Sequence, residues 1–426
     1  MTPPCNSTSL HGRSVLRLTT GLMALILCGC VSTSAPRSAR NPPREAGEGL
    51  DGSSRAVGTM LESVIARARI PGIAAVVLRG DEIVAQGVAG VRKRGSPEAI
   101  TLADQFELSS CTKAMTATLV AMLVGEGKLG WDTTLAEIFD NAGTRLDPAW
   151  KTVTVRQLLE QRAGITGSDV FTFFASVHSA PNDLPRQRRE FALRLLSRRP
   201  DIPPGTKFVY SATNYILAGA VLEKITGRSW ENLMRERLYV PLGLASGGFG
   251  PPGTPGTVDH PWGHGRRRLF SLPMPGWSDT PFDPGSSSAD YPMAAAPAGM
   301  AHLSITDWAK FVALHLRGDP ANPQRQVALL NPDAFARLHT PAAGEGDYAG
   351  GWFVGARKWA KGMRPEDTGR VIFHAGDNGR WSTVVWVAPE IDFAMLIACN
   401  RTDMAEPLDE VARELLRMTL NSPAVK

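Results

Sequence analysis

Residues 114–124 are apolar on almost every side of a helical wheel, interrupted only by Thr116 and Thr118. A helix that is apolar all round must be enclosed by other elements, so this segment predicts a central helix with the rest of a core built around it. The run is headed by Ser110-Cys111-Thr112-Lys113. Residues three apart share a helix face, which sets the Ser110 hydroxyl and the Lys113 amine side by side at the helix N-terminus. An adjacent base can turn a serine into a nucleophile, and a buried helix supplies the fixed geometry that covalent catalysis needs. Spacing alone is weak support. Only Lys113 among the lysines has a serine three residues before it, and about half a match is expected by chance.

The chain of 426 residues is long enough for a large core, 43% hydrophobic and 20% charged, which is ordinary for a globular protein. Its net charge of +5 falls to +3 without Arg13 and Arg17. That leaves no nucleic-acid footprint, and the clusters Arg186-Gln187-Arg188-Arg189 and Arg266-Arg267-Arg268 read as solvated faces. At the N-terminus a positive start precedes the short apolar stretch 22–27 and Leu27-Cys28-Gly29-Cys30. The stretch is too short to span a bilayer and fits a secretory leader. It resembles a bacterial lipobox, which implies a signal peptide over 1–30, lipidation of Cys30, a membrane anchor and a location in the cell envelope. Residues 31–53, rich in Ser, Pro, Arg and Gly, read as a flexible tether. Processing leaves Cys30, Cys111 and Cys399; the last two read as buried small hydrophobes, with a disulfide between them as the alternative in an oxidising compartment.

Along the chain, a helix is expected over 56–69, then a hairpin of strands 73–78 and 83–88 across the Gly80-Asp81 turn. After the central helix come helices at 153–160, at 188–197 with its arginines toward water, and at 214–226, capped by Gly227. Residues 241–293, dense in Gly and Pro, predict long surface loops. A helix at 305–316 precedes strands at 371–374, 382–387 and 393–398, and an amphipathic helix at 406–420. This order predicts an α+β fold: an antiparallel sheet flanked by helices, with a mainly helical lobe inserted. The domain spans 54–424, its sheet lobe being 54–100 plus 295–424 and its helical lobe 101–294.

Three further segments bear on Ser110. Tyr210-Ser211-Ala212-Thr213-Asn214-Tyr215 follows a Pro-Pro-Gly turn, His374-Ala375-Gly376-Asp377 ends the first C-terminal strand, and 154–159 leads into Ala163-Gly164-Ile165. Together with Pro241-Leu242-Gly243-Leu244, their order resembles the serine β-lactamase and penicillin-binding protein family, in its class C and D-Ala-D-Ala carboxypeptidase/esterase branch. The resemblance covers about residues 55–420.

It implies that Ser110 is the acyl-accepting nucleophile, that Lys113 helps take its proton, and that Tyr210 shuttles protons. It implies that the backbone N–H groups of Ser110 and Asp377 form the oxyanion hole, and that His374, Gly376 and Ala212 lie where substrate is bound. Which of Lys113 and Tyr210 is the base stays open. Ala212 stands where the family's Tyr-x-Asn element has its asparagine, and His374 where many members have lysine. The loss of an amide and of a cation favours an ester or small amide over a true β-lactam.

Competing chemistries lack their motifs. There is no Gly-x-Ser-x-Gly elbow, no His-Glu-x-x-His, and Pro261 and Gly263 break any helix that could align His260 with His264 as zinc ligands. No phosphate-binding glycine loop precedes a helix. The expectation is a cofactor-free, metal-free serine hydrolase acting on a small ester, amide or β-lactam-like molecule. A class C-like β-lactamase or carboxypeptidase, and a non-catalytic binding or sensing lipoprotein, are the alternatives.

Overall fold

The computed structural model describes residues 52–140, 146–167, 183–265, 279–326, 329–342 and 347–420, with the backbone of 268–269 and 272–273. The expected signal peptide, Cys30 and the tether up to residue 51 lie outside the described residues. No described helix is long and apolar enough to cross a membrane.

Strands β1 (Gly72–Arg79) and β2 (Glu82–Gly90) form the expected hairpin, and β3 (Gln105–Glu107) leads to the Ser110 turn. β4 (Ala301–Ser304) comes after the helical region, followed by β5 (Tyr348–Ala349), β6 (Trp352–Ala356), β7 (Arg370–Asp377), β8 (Ser382–Ala388) and β9 (Phe393–Cys399). The main sheet has seven strands in the order β5-β6-β7-β8-β9-β1-β2, every pair antiparallel. β1 therefore pairs with β9 near the end of the chain, Val76 opposite Leu396. β3 and β4 pair in a separate small sheet with Gly248–Phe249.

The alternation along β1 explains its unbroken apolar sequence. Ala74, Val76 and Leu78 face one core, shared with the central helix; Ile73, Ala75 and Val77 face a second. Successive strand residues point to opposite faces, so a strand covered on both sides is apolar throughout. The second core is closed by helix α1 (Gly52–Ala68), through Val57, Leu61 and Val64, and by the last helix, Ala405–Leu420, through Leu408, Val411 and Leu415.

The central helix α2 runs Thr112–Gly125 and is buried from Thr112 to Leu123. Ser110 lies just before it, in a 3-10 turn, Ser109–Cys111. Helix α3 (Leu184–Leu196) and helix α4 (Ala212–Thr226) enclose the same core, and Gly227 caps α4 in the left-handed conformation, as its sequence suggests. Residues 241–293 are less irregular than expected. Besides Gly248–Phe249, Gly263–Gly265 pairs with Thr280–Phe282. Strands β5 and β6 were not expected. They are short and separated by Gly350-Gly351, where Gly351 has φ +86° and a Cβ would stand 2.4 Å from the Ala114 backbone nitrogen. Only glycine lets this turn lie against α2.

The arginines of α3 correct the sequence reading. Arg188 is fully buried, with Nη2 2.6 Å from Glu223 and Nη1 3.0 Å from Glu231. Burial pushes the Glu223 carboxyl up, and Arg188 pulls it back down. Seen from sequence the basic cluster looks like a wet face; the acids that neutralise it come from α4 and from the short helix Trp230–Met234. Removing one partner of such a buried group leaves an uncompensated charge. Arg188→Ala is expected to cost about 3–5 kcal/mol in urea unfolding, whereas Arg186→Ala, whose pairing with Glu190 is exposed, should leave the unfolding midpoint nearly unchanged.

Candidate active site

Lys113 is 1% exposed. Its Nζ lies 3.0 Å from Ser110 Oγ and 2.6 Å from the Ala298 carbonyl. That carbonyl comes from the one-turn segment Ala296–Gly299, which also accepts Thr116 Oγ1 at the Pro297 carbonyl. Among the described residues no carboxylate is a hydrogen-bond partner of Lys113. Burial lowers the Lys113 pKa from the ordinary 10.5 to about 7, with Cys111 pulling weakly the other way. An amine that is partly neutral at pH 7 can accept the Ser110 proton while one of its own hydrogens stays on Ala298.

Tyr210 stands over the same amine, its ring centroid 5.1 Å from Lys113 Nζ. It lies just before α4, where Ser211 caps the helix by accepting from Thr213 N. Gln161, with φ +60°, holds both flanks: its carbonyl takes Val209 N and its Oε1 takes Ser211 N and Asn214 Nδ2. Burial raises the Tyr210 phenol above its ordinary pKa and a hydrogen bond with Ser110 opposes this. With 37% of the residue exposed, water moderates the push, but the phenol is a proton carrier at neutral pH rather than a phenolate.

β7 passes directly beside the Ser110 turn. At Gly376 a Cβ would meet Leu108 O at 2.6 Å and Ser109 Cβ at 2.9 Å, so glycine is what allows the approach. Ser109 itself has φ +48°, backbone strain held by this packing. Asp377 ends β7, opposite Ser382. Its carboxylate is engaged by Ser382 Oγ, Thr402 Oγ1, Gly379 N and Asp403 N, which leaves its backbone as the part that could serve a substrate.

His374 is 1% exposed. Nδ1 lies 2.7 Å from the Ala375 carbonyl and Nε2 3.1 Å from Tyr348 Oη. A carbonyl only accepts, so Nδ1 carries the hydrogen. Burial first, and Lys113 second, push the imidazole pKa down to about 3. The ring is therefore neutral, and its bare Nε2 accepts from the Tyr348 hydroxyl. It offers no cation.

The structure thus brings Ser110, Lys113, Tyr210, His374 and Gly376 together, with Ala212 two residues after Tyr210 as the first residue of α4. Gln161, Ala298 and Tyr348 were missed in the sequence. The first two act through a backbone turn or a carbonyl, which no side-chain pattern reveals; Tyr348 lies on an unexpected strand. Cys111 and Cys399 are free and buried, which removes the disulfide alternative, and burial raises both thiols to about 12, so neither is nucleophilic. Among the described residues no group of acidic, histidine and cysteine side chains could hold a metal ion.

The family model "Beta-lactamase" matches residues 57–417. The chain belongs to the beta-lactamase family. It is 27% identical over 350 residues to "Penicillin-binding protein 4" of Amycolatopsis lactamdurans, covering 82% of this chain and 85% of that one. It is 23% identical over 355 residues to "Unguisins hydrolase ungD'" of Aspergillus campestris, covering 80% of this chain but 61% of that protein's length. Its fold is shared with an octameric penicillin-binding protein homologue from Pyrococcus abyssi (TM-score 0.66, 20% identity, 86% and 77% coverage). It is shared also with the D-amino acid amidase of Ochrobactrum anthropi SV3 (TM-score 0.65, 20% identity, 87% and 100% coverage).

Within this beta-lactamase family member the titration of Lys113 has a definite sign. Folding lowers the pKa, so the folded chain resists taking up this proton; the penalty is absent above pH 10.5 and complete below about 7. Lys113→Met should therefore melt higher than the parent at pH 6, with the gain fading toward pH 10. In the parent, the rate of Ser110 labelling by a fluorophosphonate should rise about tenfold between pH 6 and 8 as the amine loses its proton. A flat rate profile, or a Lys113→Met melting gain independent of pH, would contradict the assignment.

Proposed function

We propose that this chain is a serine hydrolase that forms an acyl-enzyme at Ser110, on small esters or amides whose departing half carries no carboxylate. The observation that carries the reading is the buried Lys113 amine, 3.0 Å from Ser110 Oγ and with its pKa brought to about 7. In this scheme Ser110 Oγ attacks the substrate carbonyl carbon and its proton passes to Lys113. The backbone N–H groups of Ser110 and Asp377 face the oxyanion. Tyr210 relays that proton from Lys113 to the departing nitrogen or oxygen and keeps its own hydrogen count; water then attacks the ester on Ser110, one of its protons passing through the same pair to Ser110 Oγ as the acid is released. Lys113 serves as base in preference to Tyr210, because burial moves the amine toward neutrality and the phenol away from ionisation.

The substrate class follows from two side chains. His374 is neutral with both ring nitrogens occupied, so it gives a terminal carboxylate no counter-charge. Ala212 has no amide to receive a peptide-like side chain. Beside the Ser110–Lys113 pair stand the rings of Tyr210, Tyr348 and Phe353, 4.8–6.3 Å apart between centroids, a surface suited to an uncharged group. The relative named a hydrolase and the amidases that share the fold are consistent with ester or amide cleavage. The relative named a penicillin-binding protein favours a second reading, a carboxypeptidase or β-lactamase.

Four substrates separate the readings: a p-nitrophenyl ester, a D-amino acid amide, a D-dipeptide with a free carboxylate, and a chromogenic cephalosporin. The ester and amide are expected to exceed the free-carboxylate peptide by at least about tenfold in kcat/KM. All turnover and fluorophosphonate labelling should be lost in Ser110→Ala. Rapid cephalosporin cleavage would favour the second reading, and absence of labelling at Ser110 would favour a non-catalytic binder.

A further inference from the structure

Three residues before Ser110, Glu107 ends β3 and is fully buried. Directly after Asp377, Asn378 opens the turn between β7 and β8. Its Nδ2 donates to Glu107 Oε1 at 2.7 Å and to Asp290 Oδ1 at 3.2 Å, while its Oδ1 accepts from Arg380 N and Trp381 N at 3.1 and 3.0 Å. One amide thus joins the strand that carries the nucleophile turn, the turn that follows the proposed oxyanion strand, and the segment 283–293 on the helical side. A second link runs parallel to it, Arg380 Nη2 to Ser288 O at 2.9 Å.

The two acids also meet each other. Glu107 Oε1 and Asp290 Oδ1 converge on the same Asn378 amide nitrogen, while Glu107 Oε2 and Asp290 Oδ2 are buried and accept from no donor among the described residues. Two charged carboxylates gathered on one amide in a buried space repel each other, and two unpartnered carboxylate oxygens are costly there; one proton between the pair relieves both.

We propose that one proton shared by Glu107 and Asp290 locks Asn378 and thereby positions the backbone N–H of Asp377 for the developing oxyanion. This rests on the acyl-enzyme reading above. Glu107, Asp290 and Asn378 are positioning residues; none of them touches the reacting atoms.

The surroundings support a pair that keeps its proton. Burial, and for Glu107 the neighbouring Asp290, raise both carboxyls, Asp290 to about 6 and Glu107 well above its ordinary range. Arg380 is the cation that opposes this. His302, the register partner of Glu107 on β4, stays neutral because burial lowers it to about 4 and its Nδ1 is bonded to Gly250 O. The Asp377 carboxylate is bonded to Ser382, Thr402 and neighbouring amides. When pH rises until the second proton leaves, two like charges face one another across the Asn378 amide and the clasp loosens. The pair titrates as a unit, and the result is an alkaline decline in kcat, separate from the rise near pH 7 caused by Lys113.

The test compares the full chain with Asn378→Ala, Glu107→Ala, Glu107→Gln and Asp290→Asn, using p-nitrophenyl ester turnover from pH 5 to 10 and melting temperature over the same range. Asn378→Ala and Glu107→Ala are expected to lose at least about tenfold in kcat with KM changed less than about twofold. Glu107→Gln, which keeps an acceptor for Asn378 and a donor for Asp290, should recover most of that loss and lack the alkaline decline. The native state holds the Asp290 proton more tightly than the unfolded chain, so stability falls as pH rises through about 6. Asp290→Asn should therefore melt higher than the parent at pH 8 and not at pH 5. An unchanged kcat in Asn378→Ala, or equal losses with identical pH profiles in Glu107→Ala and Glu107→Gln, overturns the proposal. If the parent is not acylated at Ser110 at all, the hydrolase reading fails by itself. The melting comparison still decides the shared proton, and an Asp290→Asn difference independent of pH rules it out.

Discussion

Taking the Lys113 amine out of water is the constraint around which the site is built. An ammonium in an apolar interior is costly, and here the protein answers by letting the group become neutral rather than by giving it a carboxylate. That answer demands enclosure on all sides. Gly351 brings the β5–β6 turn onto the first residues of α2, Ala298 supplies one carbonyl, and the rings of Tyr210 and Tyr215 stand 5.1 and 5.8 Å from Nζ. The Pro297 ring presses on Gly219 of α4, where a Cβ would come within 2.4 Å. These close approaches pack the first half of α2 tightly, and Lys113 is left 1% exposed.

The same low dielectric settles the state of its neighbours. His374 cannot carry charge beside Lys113 in a space without counter-ions, so it serves through hydrogen bonds, holding Tyr348 with one nitrogen and its own strand with the other. A site that in sequence looks like a cation replaced by a titratable histidine is, in space, a site with a polar but uncharged wall. The distinction matters for recognition, since a neutral donor–acceptor network already satisfied within the protein has little left to offer an anion.

Much of this was legible in the chain. The all-round apolar character of 114–124 required an enclosed helix, and the run at 73–78 read as a strand of a hairpin; both are found. The order of the Ser110, Tyr210 and His374 segments pointed to the family and to the α+β fold. What escaped detection depends on partners far away in sequence. Arg188 looks solvated until Glu223 and Glu231 are placed beside it. β5 and β6 are two and five residues long, too short for a period to show, and are fixed by pairing rather than by propensity. Gln161 works through a left-handed backbone and one side-chain oxygen that takes two donors, which nothing in its immediate neighbours announces.

The pairing of β1 with β9 joins residue 73 to residue 399 inside the sheet, one strand in from the β2 edge. Contacts of such long sequence separation form late and slowly in folding. The hydroxyl and amine of Ser110 and Lys113 belong to one local turn and can meet early, but β7, which lies against that turn, is held in the sheet through β8 and β9. During synthesis the chain therefore carries the Ser110–Lys113 turn for hundreds of residues without the strand that lies against it. Assembly of the candidate site is tied to completion of the fold, and a chain halted before β9 exposes an apolar sheet edge rather than an enclosed Lys113.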